Sequence, residues 1–417
     1  MKILWVNPHF LHPTTKGGQI RTLEMLRHLH RWHEIHYVAL ENPAEPEGLA
    51  KSHEYCAQAY PISHSVPRRG SASFVFQAAG NLFDPLPLAV TRYRSAEMKA
   101  VVTRLLSSGT FDRLVCDFLF AAPNIASLSQ ALLFQHNVET TIWDRHLENA
   151  HSAAARAFFR IQRNRMARYE GAACRQCAHV VAVSSQDAER FRALFHAKRV
   201  SQVPTGVDVP SFTPPPDLPI ENKADLVFVG SMDWLPNIDG CNYFVREILP
   251  LIRRSRPDCT FAIVGRSPGS GILEMARTDP KILVSGTVPD IRPYFWGSSV
   301  SVVPLRIGGG TRLKIFEAMA AKAPIVSTTI GAEGLPVVHG KNLYLADTPE
   351  AFAEHCLALL ASESTRKQIS QNAYNMVSSQ FSWEHAARVF EAILEKEAPS
   401  LRRPRSLTGS FTGSLRG

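Results

Sequence analysis

The chain is short of acidic residues, sparing with cysteine and without any long apolar run. Its 37 Asp and Glu are outnumbered by 46 Lys and Arg, for a net charge of +9. No stretch of about 18 uninterrupted apolar residues occurs, which excludes a conventional membrane-spanning helix. The seven cysteines (Cys56, Cys116, Cys174, Cys177, Cys241, Cys259 and Cys356) are scattered and odd in number. That pattern argues against a disulfide framework and for a reducing compartment, the cytoplasm. Cys174 and Cys177 form one Cys-x-x-Cys, but no second ligand pair lies nearby and their segment has helical spacing, so they read as helix residues. The opening Met1-Lys2-Ile3-Leu4-Trp5-Val6 is too short for a secretory signal and reads as a first strand. No Gly-x-Gly-x-x-Gly follows that strand, which disfavours a nicotinamide-dependent dehydrogenase, and nothing suggests pyridoxal phosphate. No Asp-x-Asp occurs anywhere, so the usual carboxylate pair for a bridging divalent metal is missing.

What is present describes a globular protein, with 45% hydrophobic and 20% charged residues. At 417 residues, and roughly 150 residues per domain, two or three units are expected. The positive charge is concentrated: residues 141 to 200 hold eleven Arg and Lys against five Asp and Glu. Arg156, Arg160, Arg163, Arg165, Arg168 and Arg175 fall on one expected helix, with Phe159, Met166, Tyr169 and Ala173 at core spacing. Such a helix is either a solvated face or a surface drawn to an anionic membrane or a phosphate-bearing acceptor. Nucleic acid is not expected as a partner, because aromatic residues are not interleaved with the basic ones.

Strand and helix patterns alternate in both halves, the signature of parallel sheets covered on each face. Expected strands in the first half are Lys2 to Asn7, Glu34 to Leu40, Phe111 to Cys116, Ala131 to Gln135 and His179 to Ser184, with a helix from Gln19 to Trp32. Between residues 42 and 95 the pattern blurs. Residues 204–222 are dense in proline and read as an interdomain linker without regular structure. Asp225 to Gly230, Cys259 to Gly265, Ile282 to Val288, Val300 to Leu305, Pro324 to Thr328 and Asn342 to Ala346 then read as six strands of a second doubly wound domain. Helices from Pro349 to Ala361, Thr365 to Ser379 and Trp383 to Glu397 follow, and the basic low-complexity tail 398–417 is expected to be disordered.

The most informative stretch lies between the fourth and fifth strands of that second domain: Gly308-Gly309-Gly310-Thr311-Arg312-Leu313-Lys314-Ile315-Phe316-Glu317. Three glycines and two cations at a strand-to-helix turn have the geometry of a phosphate cradle, because the first turn of a helix offers unpaired N–H groups and partial positive charge. Glycine lets the backbone approach a diphosphate, and Arg312 and Lys314 add full charges. A tight connection is the plainer reading of the same glycines. Glu317 would repel phosphate but suits a sugar's paired hydroxyls, such as a ribose.

Taken with their order along the chain, these segments resemble the GT-B glycosyltransferases, and most specifically glycosyltransferase family 4. Lys16-Gly17-Gly18 after the first strand, Gln135-His136-Asn137-Val138-Glu139, Val203-Pro204-Thr205-Gly206-Val207-Asp208, Val227-Phe228-Val229-Gly230-Ser231, Ile263-Val264-Gly265, Ser285-Gly286-Thr287 and the Gly308 to Ala320 stretch all match. The resemblance implies an α/β fold of two doubly wound Rossmann-like domains facing each other across a cleft. Its expected parts are an acceptor-side domain over 1–203, a nucleotide-sugar domain over 223–380, and a helix over 381–397 crossing back to the first. It implies transfer of a sugar from a nucleotide-diphosphate donor to a carbohydrate or lipid-linked acceptor, with retention at the anomeric carbon, in surface polysaccharide assembly at the inner face of the membrane.

The resemblance carries over His136 for catalysis and Gly17, Gly18, Gly230, Asn237, Gly309, Gly310, Thr311 and Glu317 for the donor; Arg312 and Lys314 join the catalytic group by their charge, and Arg266 and Glu333, each following an expected strand, are donor contacts by position. Glu139 reads as a partner of the site or a helix-end charge. Trp234 is expected to be a buried core aromatic, the alternative being a ring that stacks on a base. Glu317 matches the second glutamate of the family's Glu-x7-Glu; the first falls at Gly309, and the arginine and lysine that many members carry after the glycine matching Gly230 are absent. Arg312 and Lys314 are expected to replace them. Each unit charge pair at about 4 Å and an effective dielectric near 20 is worth roughly 4 kcal/mol. No cofactor and no metal are expected, the departing diphosphate being neutralised by those cations and the helix terminus. A nucleotide-sugar epimerase on the same fold, or an inactive or regulatory nucleotide-sugar-binding subunit, are the competing readings.

Overall fold

The computed structural model describes residues 1–14, 17–43, 45–64, 80–81, 84–148, 150, 152–216, 223–232, 234–307 and 313–401. Lys16, the turn Gly308, Gly309, Gly310, Thr311 and Arg312, residues 217–222 of the expected linker and the tail from 402 lie outside the described residues. The chain forms two compact units, Met1–Val203 with Ala387–Gly417, and Pro204–Ala386.

In the first unit seven parallel strands, β1 (Lys2–Asn7), β2 (Glu34–Glu41), β3 (Gln58–Ser63), β4 (Arg113–Asp117), β5 (Ala131–Phe134), β6 (His179–Ala182) and β7 (Val200–Gln202), lie in the order β3-β2-β1-β4-β5-β6-β7. The central strand β1 is covered on both faces, so Ile3, Leu4, Trp5 and Val6 are all fully buried. Two strands went unrecognised in the sequence, both at sheet edges. β3 reads Gln-Ala-Tyr-Pro-Ile-Ser, with only Ile62 buried and a proline that an edge strand tolerates. β7 has three residues, of which only Val200 is buried. The sheet reverses direction between β1 and β4, where parallel α/β sheets place ligands outside the carboxyl ends of the strands.

The helix Trp383–Glu397 supplies Phe390 to this unit, its ring 5.4 Å from that of Trp5 and 5.1 Å from that of Phe134. Arg113 Nε donates to Leu394 O at 2.8 Å, and His33 pairs with Glu391 at 2.8 Å.

The second unit holds β8 (Ala224–Val229), β9 (Phe261–Val264), β10 (Ile282–Gly286), β11 (Ser298–Val303), β12 (Ile325–Ser327) and β13 (Tyr344–Leu345), all parallel, in the order β10-β9-β8-β11-β12-β13. Its core is built around Phe228, Phe244, Phe261 and Phe352, with Phe244 4.6 Å from Phe261. The direction reverses between β8 and β11.

The proline-rich segment is not free of regular structure. Val209–Phe212 is one helical turn, because the Asp208 carboxylate accepts the Ser211 N–H at 3.2 Å and Pro210 sits in the first turn, where no N–H is needed. Just before it, Val207 N–H donates to Phe381 O at 2.7 Å. A Cβ on Gly206 would lie 2.4 Å from the Trp383 ring and 2.8 Å from its Cα, so this position has room for glycine alone.

Candidate functional site

In the first unit the carboxyl ends of β1 and β4 meet in a buried polar hub. Asp117, the last residue of β4, accepts on Oδ2 from Trp5 Nε1 (2.9 Å), Asn7 Nδ2 (2.7 Å) and Thr22 Oγ1 (2.9 Å). Its Oδ1 lies 2.8 Å from His136 Nε2. Arg21 Nη1 stands 3.2 Å from His136 Nδ1. A guanidinium only donates, so Nδ1 is the acceptor and the His136 proton sits on Nε2, aimed at Asp117. Burial lowers the histidine's pKa and Arg21 lowers it further, against Asp117, which keeps the ring neutral. Arg21 is itself lowered to about 10 by burial, against Asp187 and Asp117, and stays charged at neutral pH.

The ring of His136 stacks on Phe118 at 4.0 Å and 16°. Phe118 follows β4 with φ of 64°, a strained backbone that only the surrounding contacts hold. Gly18, in the first turn of the helix Gly17–Trp32, permits this arrangement: a Cβ there would meet Phe118 Cζ at 2.6 Å and His136 Nδ1 at 3.6 Å. Gly17 has nothing within 4 Å of a built Cβ. His136 therefore has both nitrogens engaged, and its side chain is 2% exposed.

Glu139 begins the helix Glu139–Glu148, but the N–H groups of that helix end are capped from elsewhere. Glu170 accepts the N–H groups of Glu139 and Thr140, each at 2.8 Å, and the Thr140 hydroxyl at 2.6 Å. The Glu139 carboxyl is buried and its pKa pushed up by that burial and by Glu170, so it is not the dipole-stabilising anion of the sequence reading.

In the second unit the carboxyl end of β8 and the helix Leu313–Ala320 converge. Lys314 Nζ donates to Asn237 Oδ1 at 2.6 Å and lies 4.5 Å from the centroid of the Phe228 ring. Asn237 Nδ2 donates to Ser231 O at 2.8 Å. A Cβ on Gly230 would lie 2.8 Å from Asn237 Nδ2 and 3.0 Å from Lys314 Nζ, so the glycine leaves the ammonium and amide their place beside the backbone. A Cβ on Gly265 would strike Gly230 O at 1.8 Å, which locks the ends of β8 and β9 together. Arg266 joins the group through Ser231, donating from Nε to Oγ at 2.8 Å.

Glu317 lies one turn beyond Lys314, and burial raises its carboxyl to about 7 against the pull of that lysine. Glu333 is exposed in the turn after β12. Gly230, Asn237, Lys314, Glu317 and Arg266 are thus gathered at one end of one sheet. Gly309, Gly310, Thr311 and Arg312 lie outside the described residues. Trp234 is not a core aromatic: it is 40% exposed, because it precedes the helix Leu235–Tyr243 at the rim of this group rather than facing the sheet.

The signals that sequence reading missed were Asp117, Arg21, Thr22 and Asn7. Asn7 and Asp117 each end a strand flanking the reversal of the sheet, which is the positional clue that could have found them. The basic helix Ala153–Gln176 carries all six arginines noted above, with Met166 and Ala173 buried beneath them. Among the described residues no group of three or more His, Cys, Asp or Glu comes together as a metal site would require, and no helix is long and apolar enough to cross a membrane.

Residues 223–362 match the family model of the glycosyl transferases group 1. Among curated relatives, an uncharacterized 44.6 kDa protein in the cps region of Klebsiella pneumoniae is 26% identical over 183 residues, 42% of this chain and 46% of that one. The lipopolysaccharide core biosynthesis mannosyltransferase LpsB of Rhizobium meliloti is 26% identical over 46% of this chain and 59% of its own. The chain thus spans about half the length of the curated relatives it matches. Among solved structures, the sucrose-phosphate synthase of Thermosynechococcus elongatus superposes with a TM-score of 0.66 at 16% identity, covering 95% of this chain and 98% of that one. Anabaena HepE in complex with UDP gives 0.62 at 13% identity, covering 95% and 100%. Two parallel-sheet α/β units in this order are the GT-B fold, and the match to the group 1 glycosyl transferase model falls within the second of them.

Proposed function

We propose that the chain is a glycosyltransferase that moves a sugar from a nucleoside-diphosphate donor, held on the second unit, to a carbohydrate or lipid-linked acceptor held on the first. The observation that carries this reading is the Lys314 ammonium fixed on Asn237 beside the bare Cα of Gly230. A cation held there, at the carboxyl end of β8 and on the first turn of a helix, suits the two phosphates of a leaving nucleotide. Glu317, its pKa pushed up to about 7 by burial, is held partly in its acidic form near neutrality. It both donates to and accepts from a ribose hydroxyl pair without adding a full negative charge beside the diphosphate. Arg266 faces the same backbone through Ser231 and contributes to donor binding, as do Asn237 and the turn residues Gly309, Gly310 and Thr311. Glu333 is assigned to the donor by its place after β12, and Gly17 by the resemblance.

Transfer proceeds with retention and without a metal, Arg312 and Lys314 carrying the charge that the diphosphate develops. In the first unit, His136 holds Asp117 and Arg21 in register at the start of the helix that begins with Gly17 and Gly18. It acts by positioning rather than by proton transfer. Surface polysaccharide or lipopolysaccharide assembly is the setting, in keeping with the relatives from a cps region and from lipopolysaccharide core biosynthesis, and the basic helix is the face turned to an anionic membrane on the cytoplasmic side.

The test is release of nucleoside diphosphate from a panel of uridine-, guanosine- and adenosine-diphosphate sugars, with and without chelator. Uridine diphosphate glucose comes first, because Anabaena HepE forms a complex with it. Turnover that survives chelation and falls in Lys314→Ala supports the assignment. Binding of every donor without release would leave a silent binding subunit, and a changed sugar still attached to its nucleotide would make the protein an epimerase.

A further inference from the structure

We propose that a cavity at the opposite end of the second sheet, distinct from the Lys314 group, binds a soluble phosphomonoester. The cavity measures about 350 Å³ and is lined by Ser298, Lys322, Arg366, Lys367 and Glu363 among others. Ser298 opens β11, and Lys322 precedes β12, which pairs with β11 in parallel. Gly230, by contrast, follows the last residue of β8, which also runs parallel to β11. The two sites therefore sit at opposite ends of one sheet, and this assignment stands whether or not the chain transfers sugars.

Three cations face one carboxylate here, and two of the cations are held in place. Arg366 Nη1 donates to Leu359 O at 2.6 Å and to Leu360 O at 3.2 Å, which anchors the guanidinium on the end of the preceding helix Pro349–Ala361. Lys322 has a φ of 56°, and its ammonium lies 4.6 Å from the centroid of the Tyr374 ring. Lys367 pairs with Glu363 at 2.6 Å, but both side chains are more than two-thirds exposed, and such a pair holds its partners weakly. Lys367 is thus available to a better anion.

The independent sign of a ligand is Ser298. It is 9% exposed, and its hydroxyl oxygen is buried with no hydrogen-bond partner among the described residues. A buried hydroxyl left unpaired is costly and points to a missing acceptor or donor. By turning about its Cα–Cβ bond the buried Ser298 hydroxyl gains a phosphate oxygen as acceptor, and the remaining oxygens meet a guanidinium and two ammoniums, a demand that a single carboxylate meets less well. The volume lies at the low end for small-ligand pockets, which fits a compact ester rather than a nucleotide.

The experiment is calorimetric titration of the full chain with inorganic phosphate and with glucose 6-phosphate, glucose serving as control. It is repeated on Lys322→Gln/Lys367→Gln and on Lys314→Gln. Both Lys322 and Lys367 are exposed, so the double variant is expected to melt within a few degrees of the parent, and its melting curve is recorded alongside. The expected result is binding of both phosphates and not of glucose, at least tenfold weaker in the double variant and within about twofold of the parent in Lys314→Gln. Failure of both phosphates to bind, undiminished binding in a folded double variant, or loss in Lys314→Gln would each overturn the assignment.

Discussion

Replacing Asp117 with alanine tests the buried hub most directly. The carboxylate is fully buried and takes hydrogen bonds from Trp5, Asn7, Thr22 and His136, while also facing the charged Arg21. An orphaned buried donor costs about 1–3 kcal/mol. Thr22 can rotate, and the His136 Nε2 proton can turn to the Thr22 hydroxyl oxygen 3.4 Å away, so two of the four donors are able to find other partners. The Trp5 indole and the Asn7 amide are fixed by their strand and are not. Two stranded donors together with a buried guanidinium left with Asp187 as its remaining counter-charge put the loss at about 4 kcal/mol. For a unit of this size each kcal/mol moves the melting point by roughly 2–4 °C, so a fall of about 8–16 °C is expected by differential scanning calorimetry. Asn7→Ala removes one donor and leaves the carboxylate three, and should cost about 1 kcal/mol. A fall below about 3 °C in Asp117→Ala would mean that the hub contributes no more than an ordinary surface contact, and the reading of His136 as a group oriented by Asp117 would fail with it.

Three other outcomes follow from distances already given. Gly206→Ala should cost about 3 kcal/mol or more in chemical denaturation, because the new methyl meets the Trp383 backbone, which cannot rotate away; a loss under about 1 kcal/mol would contradict that. Gly18→Ala meets only the far end of the Phe118 ring, so about 1–2 kcal/mol is expected, together with loss of the ring stacking on His136, read from the histidine's proton chemical shifts. Glu317 has its folded pKa raised to about 7 from 4.5. The folded state therefore holds a proton that the unfolded chain has released, and stability should fall as pH rises from 4.5 through about 7, a slope that Glu317→Gln makes shallower in melts taken across that range.

How much of this the sequence discloses depends on where an element sits. All six strands of the second unit are legible: the inner four because apolar runs such as Leu226-Val227-Phe228-Val229 and Phe261-Ala262-Ile263-Val264 are buried and bounded by glycine or polar turns, and the edge strands β10 and β13, of whose residues only Ile282 is buried, because Ile282-Leu283-Val284 and Leu343-Tyr344-Leu345 are still apolar. β3 is not, since an edge strand with one buried residue and a proline carries no such run. Single residues follow a different logic. Gly230 and Lys314 were legible as members of motifs, and the structure places them side by side. Asn237 was named with them, yet its contact with Lys314 spans 77 residues and nothing in either local sequence announces it. Asp117 was invisible for the same reason: its partners Trp5, Asn7 and Thr22 are 95 to 112 residues away. Trp234 misled because a large aromatic was assumed to be inside, whereas its position just ahead of a helix leaves it at a rim.

The return of the last helix to the first unit sets the order in which the protein can mature. Arg113 and its acceptor Leu394 are separated by 281 residues. At roughly 5–20 residues per second, the ribosome needs about 15 to 60 s to make the intervening stretch. Through that interval the Trp5 and Phe134 rings lack the Phe390 lid, while residues 204–386 form one continuous stretch with nothing to wait for. The half made first is finished last. Nascent chains stalled anywhere between the two should therefore expose an aromatic surface that attracts chaperones, and a C-terminal truncation should harm the N-terminal unit before it harms the other.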